Sequence, residues 1–309
     1  MLIQPGVLDL VENHQDLNGV ILDEKSDRGI SGLFRLAVKL RKERFEAAIL
    51  LHPTLRLAVA MFMAGIPLRI GTGYRFYSFL LNKRIYEHRK YSKRHEAEYN
   101  LSLAAAIDAD VKPVKFNLPV SEKARETVFR LLHRTGISEK DRYVVIHPGS
   151  RGSALDWPPE RFFQLGERIS MSLKHPLIVT GSERENNELS VLVNQYATSI
   201  VSFMGRLSLK ELIALLASAD LVIANSTGPL HLAAATGTSV IGFFPPFRAA
   251  SARRWGPYGQ EDSVLVPPLA ECVRCQGPKC DHWNCMSLIQ VEEVFQMVKK
   301  KLCYEDEYV

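Results

Sequence analysis

Asp220-Leu-Val-Ile-Ala-Asn-Ser-Thr-Gly-Pro-Leu-His-Leu-Ala233 is the stretch that decides the fold. Residues 220–224 form a short continuous apolar run of the kind buried in a parallel sheet. The segment 230–236 is apolar and Ala-rich and predicts a helix. Between them, Asn225 to Pro229 supply two hydroxyls, a glycine and a proline at the start of the helix, where a missing N–H costs nothing. A helix entered this way points unsatisfied N–H groups and its positive dipole end at the mouth of a sheet, which suits a phosphate. The same polar turn also serves as a plain N-cap, so the local reading leaves both open.

Working outward, the same alternation recurs. Apolar runs at 143–146, 177–180, 200–203, 221–224 and 239–244 are separated by helical patterns at 159–173, 183–196, 209–217 and 230–236. A capping box, Ser208-Leu-Lys-Glu211, opens the third of these helices. Strands alternating with helices predict a Rossmann-like domain of about five parallel strands over 142–290, preceded by a helix over 122–135. The N-terminal part repeats the theme more briefly, with strands expected at 19–22, 47–51 and 68–71 and helices at 32–42 and 55–64. Residues 112–120, with Pro113 and Pro119, read as a linker. Two domains are therefore expected, 1–120 and 121–309, with the final helix at 291–302 free to cross back onto the first.

Ligands in open α/β sheets bind outside the carboxyl ends of the strands, so the turns there are where chemistry belongs. The turn after 143–146 is His147-Pro-Gly-Ser-Arg-Gly-Ser153, closed by Trp157-Pro158. Gly149 and Gly152 allow close backbone approach, Ser150 and Ser153 offer hydroxyls, and Arg151 offers a fork of donors matched to phosphate. The bland alternative is a flexible loop with an exposed arginine. Glu185, after Thr180-Gly-Ser182, is placed to accept from ribose hydroxyls or simply to favour the start of a helix. No G-x-x-x-x-G-K-[ST] is present, and no G-x-G-x-x-G opens a helix, which argues against a P-loop NTPase and a dinucleotide dehydrogenase.

Composition narrows the rest. The 309 residues are 46% hydrophobic and 24% charged, and the net charge of +5 implies no partner by itself. The charge is uneven: residues 69–94 hold eight basic residues against one acid, Glu87, interleaved with Tyr74, Phe76, Tyr77, Phe79, Tyr86 and Tyr91. Such a strip suits an anionic membrane face or a nucleic acid, or is a solvated helical face whose aromatics are core. No apolar run reaches the length of a membrane span and the N-terminus does not read as a signal peptide, so the cytoplasm is the expected compartment. Cys272, Cys275, Cys280 and Cys285 follow C-x2-C-x4-C-x4-C. Four thiolates at that spacing can close a structural zinc site, or stay free thiols.

The segments HPGSRGSALDWPPERF (147–162), IVTGSERE (178–185) and FMGRLSLKELIALLASADLVIANSTGPLHLAAATGTSVIGFFPP (203–246), with the cysteine tail and VEEV (291–294), resemble glycosyltransferase family 9. That family comprises the ADP-heptose:lipopolysaccharide heptosyltransferases. The resemblance implies a GT-B fold, two Rossmann-like domains whose parallel sheets face a cleft. It implies inverting transfer of heptose, or a related sugar, from an ADP-sugar to the lipopolysaccharide inner core with no cofactor required. The implied partners are the nucleotide-sugar donor, a lipopolysaccharide or lipid-linked core acceptor, and the inner membrane touched peripherally from the cytoplasm; nucleic acid is not among them. Ser150 and the loop through Arg151, Gly152 and Ser153 would contact the diphosphate, and Glu185 the ribose. Leu207 would meet the adenine through its backbone. Ser226, Thr227, Gly228 and Pro229 would bind phosphate at the helix start, with His231 behind. Arg69, Arg75, Arg84, Arg89 and Lys93 would face the anionic acceptor.

Three departures stand out. The family lysine two residues before Trp-Pro is Leu155 here, with Arg151 the nearest electrostatic substitute. The aspartate that many members carry before [ST]-G-P is Ser226. The family's first strand, with the Gly-Asp turn that carries the general base, has no counterpart, since Met1-Leu-Ile-Gln already resembles the second strand. The rival expectations are thus a truncated or non-catalytic nucleotide-sugar-binding relative, and a zinc-stabilised nucleic-acid-binding protein.

Overall fold

The computed structural model describes residues 1–12, 14–107, 116–138, 140–150, 152 and 155–303. It divides into two compact units, Met1–Lys115 and Phe116–Val309.

The first unit carries β1 (Leu2–Ile3) and β2 (Ile21–Leu22), then α1 (Gly29–Lys42), β3 (Ala47–Ile49), α2 (Leu55–Met63), β4 (Leu68–Thr72), β5 (Lys83–Ile85) and α3 (Glu96–Ala104). All its pairings are parallel, but they form two sheets, β1-β2 and β3-β4-β5. Leu36 and Leu40 of α1 and Ala58, Ala60 and Met61 of α2 make one core with Leu50, Ile66 and Leu81. Thr54 caps α2, its hydroxyl accepting from the Leu57 N–H at 3.3 Å.

The basic strip is not a helical face. It runs through β4, a short 3-10 turn (Phe76–Leu80) and β5. Its aromatics are mostly outside the core: Phe76 is 79% exposed and Phe79 69%, while Tyr77 is buried. Too few residues separate successive turns and strands for a helix to propagate.

The second unit contains α4 (Glu122–Arg134), β6 (Val144–His147), α5 (Pro159–Leu173), β7 (Leu177–Val179), α6 (Glu183–Glu188), α7 (Ser190–Gln195), β8 (Val201–Ser202), α8 (Leu209–Ala217), β9 (Leu221–Asn225), α9 (Gly228–Ala235), β10 (Val240–Phe243), α10 (Ala252–Trp255), β11 (Val264–Leu265) and α11 (Val291–Cys303). Its six strands are all parallel in the order β11-β10-β9-β6-β7-β8. Alternate strand residues feed two cores. Val144, Ile146, Val179, Ile223 and Ile241 meet α5 and α11, whereas Val145, Ile178, Val222 and Val240 meet α4, α8 and α9. Burial on both faces is why the strands read as unbroken apolar runs.

The expected helix at 183–196 is two helices, because Leu189 leaves helical dihedrals (ψ 11°) with its side chain packed on the core. The sixth strand, β11, is a two-residue edge strand with no periodicity to announce it. The last helix buries Val294, Phe295, Val298 and Leu302 in the second unit's core.

Chain order fixes the site. From β6 the chain winds through β7 to β8, then returns to lay β9 on the other side of β6, with His147 opposite Ala224. The turns leaving β6 and β9 therefore diverge from adjacent strands at the point where strand order reverses, which is where a doubly wound sheet opens its ligand crevice.

Candidate active site

The turn after β6 begins at His147, which is buried with Nδ1 2.9 Å from the Thr180 hydroxyl at the end of β7. Ser150 is also buried, and its Oγ accepts from the Gly152 N–H at 3.2 Å, folding the turn back on itself. Trp157 ends the turn inside the core, stacked on Phe243 at 4.4 Å, with its indole N–H donating to the Ile289 carbonyl at 3.0 Å.

Asn225, the last residue of β9, is fully buried and joins the two turns. Its amide oxygen accepts from the Trp157 N–H at 2.8 Å and its amide nitrogen donates to the Pro148 carbonyl at 2.7 Å. Beyond it, Thr227 stands at the N-cap of α9 but makes no side-chain cap hydrogen bond, unlike the serines that cap α4, α6 and α8. Pro229 lies in the first turn. The plain N-cap role is thus not what Thr227 performs.

Glu185 is buried on α6 in a capping box. The Ser182 N–H and hydroxyl both donate to Glu185 Oε2 at 2.7 Å, and the Glu185 N–H donates to Ser182 Oγ at 3.3 Å. Gly149 passes so close that a Cβ there would lie 1.9 Å from Glu185 Oε1. Only a glycine lets the β6 turn and this carboxylate share the space. Gly149, Ser150, Gly152, Asp156, Ser182 and Glu185 line a cavity of about 530 Å³.

Of the expected donor residues, Ser150, Gly152 and Glu185 line this cavity. Ser226, Thr227, Gly228, Pro229 and His231 are on the neighbouring turn and α9, outside its lining. Leu207 follows a turn anchored by the Gly205 N–H on the Gly181 carbonyl at 2.8 Å, and packs against the core. Arg151 and Ser153 lie outside the described residues. Leu155, at the family's lysine position, packs against the core.

Sequence reasoning missed Asn225 and Asp156. A polar residue closing an apolar strand, and an acid directly before Trp-Pro, were the available signals. Burial raises the Asp156 carboxyl to about 6; a Ser150 hydrogen bond draws it partly back, and the Glu185 charge adds to the rise. Its Oδ1 is buried with no hydrogen-bond partner among the described residues. An acid with a raised folded pKa favours the folded state fully below about pH 3.8, and that stabilisation is lost as pH rises through about 6. Lowering pH from 7 to 5 also removes a negative charge from the cavity. Asp156→Asn is expected to flatten both effects. Thermal melts should lose their rise toward pH 5.

In the first unit the Arg69 Nε donates to the Leu80 carbonyl at 2.8 Å, and the Arg84 Nε to the Leu81 carbonyl at 3.0 Å. Arg89 pairs with Glu96 and reaches Asn100 at 3.2 Å. These three guanidinium groups brace the fold, Arg84 while itself exposed, and Arg75 and Lys93 are exposed as well.

The four cysteines are close enough to feel one another's charge. Cys272 and Cys275 are exposed, Cys280 half-buried and Cys285 buried, all as free thiols. Burial pushes the Cys285 thiol up, as do the neighbouring cysteines. Among the described residues no three His, Cys, Asp or Glu side chains are grouped so as to hold a metal. No described helix is long and apolar enough to cross a membrane.

A doubly wound parallel sheet with a cavity between the turn after β6 and the start of α6, at the carboxyl edge of the strands, is an α/β architecture built to hold a ligand there. The family model described as glycosyltransferase family 9 (heptosyltransferase) matches residues 33–283, and the chain belongs to that family. It is 28% identical over 282 residues to a putative glycosyltransferase of Haemophilus influenzae, covering 87% of this chain and 80% of that one. It is 27% identical to the lipooligosaccharide heptosyltransferase 2 of Campylobacter jejuni (serotype O:2), covering 92% and 82%. The structure of E. coli ADP-heptose lps heptosyltransferase II superposes with a TM-score of 0.77 at 18% identity, covering 99% of this chain and 89% of that one. The fold expected from the sequence, GT-B-like α/β with parallel sheets, is the fold found.

Proposed function

We propose that this glycosyltransferase moves a heptose from ADP-heptose to the inner core of lipopolysaccharide, with inversion and without a metal ion, at the cytoplasmic face of the inner membrane. The observation that carries the reading is the Asn225 lock, which holds the turns after β6 and β9 side by side at the switch point. Two donor-rich turns in that relation suit a diphosphate, which needs donors from more than one side. The names of the relatives supply the sugar, nucleotide and acceptor.

In this reading the acceptor oxygen bonds to the anomeric carbon from the face opposite ADP as the bond to the β-phosphate oxygen breaks, its electron pair leaving with ADP and the hydroxyl proton passing to water. Ser150, with Arg151 and Ser153, and the first N–H groups of α9 at Thr227 and Gly228 stabilise the charge that grows on the leaving diphosphate. Glu185 accepts from the ribose hydroxyls, and the backbone at Leu207 meets the adenine. On the acceptor side, Arg75 and Lys93, exposed cations of the strip, meet an anionic sugar, while Arg69, Arg84 and Arg89 hold its shape.

Calorimetry with ADP, ADP-heptose and UDP should show binding of the two adenine ligands and markedly weaker binding of UDP. Incubation of ADP-heptose with a lipid-linked core acceptor should release ADP and lengthen the acceptor by one sugar. Failure to bind ADP overturns the reading. Binding without transfer reduces the protein to a nucleotide-sugar-binding relative.

A further inference from the structure

The first unit presents an unusual helix face. In α1, Gly32, Leu36, Ala37 and Leu40 are buried on one side. On the other, Ile30 is 80% exposed, Phe34 55% and Val38 53%. These three are four residues apart and stand in one row. A surface helix ordinarily places polar residues there, so a row of large apolar side chains in water marks a contact surface. Cations lie beside it. The helix carries Arg35, Lys39, Arg41 and Lys42 and no acid. Arg41, eleven residues after Ile30, falls on the same side as Ile30 and Phe34, with Lys42 flanking the row. The helix α2 packs against α1 and leaves Leu55 and Phe62 exposed as well.

We propose that this face of α1 docks the protein on an anionic lipid bilayer. The inference deepens the function proposed above and rests on its lipid-anchored acceptor. Bulky apolar side chains would enter the headgroup boundary while the adjacent cations meet lipid phosphates, the pattern of an interfacial helix. Charge selects this occupant. A symmetric second copy would set the same cations against one another, which disfavours a dimer through the patch.

The test uses the full chain in co-sedimentation with vesicles of phosphatidylcholine alone, or of phosphatidylcholine and phosphatidylglycerol in equal parts. The protein should bind the mixed vesicles, more weakly as salt rises, and scarcely bind the neutral ones. I30S/F34S/V38S and R41E/K42E should each lower the partition coefficient on mixed vesicles by about tenfold or more. ADP affinity and transfer onto a water-soluble, lipid-free acceptor should be unchanged in both, which also reports folding. Equal binding by either variant, or no binding of the parent protein, overturns the proposal. So does a dimer in sedimentation velocity that I30S/F34S/V38S dissolves. Loss of ADP binding with vesicle binding intact would sink the sugar-transfer reading and leave the docking face standing.

Discussion

Asn225→Ala is expected to destabilise the second unit by about 3 kcal/mol and to cost donor affinity in the same step. The asparagine is fully buried and satisfies two backbone groups that belong to a different turn, the Trp157 N–H and the Pro148 carbonyl. Truncation leaves both in the interior without partners, and each unsatisfied buried group costs about 1–3 kcal/mol. The damage then spreads to the site. Once the β6 turn is no longer fastened to the end of β9, Ser150 loses its fixed relation to the first turn of α9. Asn225→Asp separates the two halves of the lock, since a carboxylate still accepts from Trp157 but cannot donate to Pro148. Chemical denaturation near neutral pH should rank the parent above Asn225→Ala, and Asn225→Ala above Asn225→Asp, whose buried carboxylate would face the Pro148 carbonyl oxygen with no proton to donate. ADP affinity measured well below the unfolding transition should fall in the same order. An alanine variant as stable as the parent would mean that the two turns hold their places without Asn225.

Most of the second unit was open to sequence reading because its physics is local. Val144, Val145, Ile146 and Val179 are buried whichever face they take, so a plain apolar run was enough to place their strands. What escaped was non-local. Nothing in the spacing of residues 143–147 and 221–225 says that the two strands are neighbours. Asn225 therefore looked like part of a polar turn rather than the pin between two turns. Asp156 was hidden for a related reason: its raised pKa comes from surroundings assembled by burial, Ser150 and Glu185, none of which is encoded beside it. The cysteines are a different case: their spacing allows a zinc site or free thiols, and the fold leaves Cys272 and Cys275 exposed while placing Cys285 in a short 3-10 turn. In the strip at 69–94, alternating cations and aromatics could not be assigned to core or surface. That choice depends on the packing of β4 and β5, which puts Phe76 and Phe79 outward and ties Arg69 to backbone carbonyls.

Glu185 tests the proposed nucleotide pocket most severely, because two roles would meet on one carboxylate. As a capping residue it accepts from the Ser182 N–H and hydroxyl, an arrangement whose loss costs about 1 kcal/mol. As a ribose acceptor it would contribute hydrogen bonds to a charged group, each about 1.5–3 kcal/mol, so its loss should weaken ADP-sugar binding about a hundredfold. The two effects separate by substitution. Glu185→Gln keeps a side-chain oxygen able to accept from Ser182 and should preserve most of the stability, while its neutral amide is a poorer acceptor for vicinal hydroxyls. Glu185→Ala removes both. Gly149→Ala reaches the same carboxylate from the other side, since the added Cβ cannot coexist with Glu185 Oε1 in its present position and must displace it. Calorimetry with ADP-heptose, paired with thermal melts, should show glutamine losing affinity with little change in melting temperature. Alanine at 185 should lose both, and Gly149→Ala should lose affinity with the glutamate still present. If all three bound ADP-heptose like the parent, the cavity between the β6 turn and α6 would not be where the ribose sits.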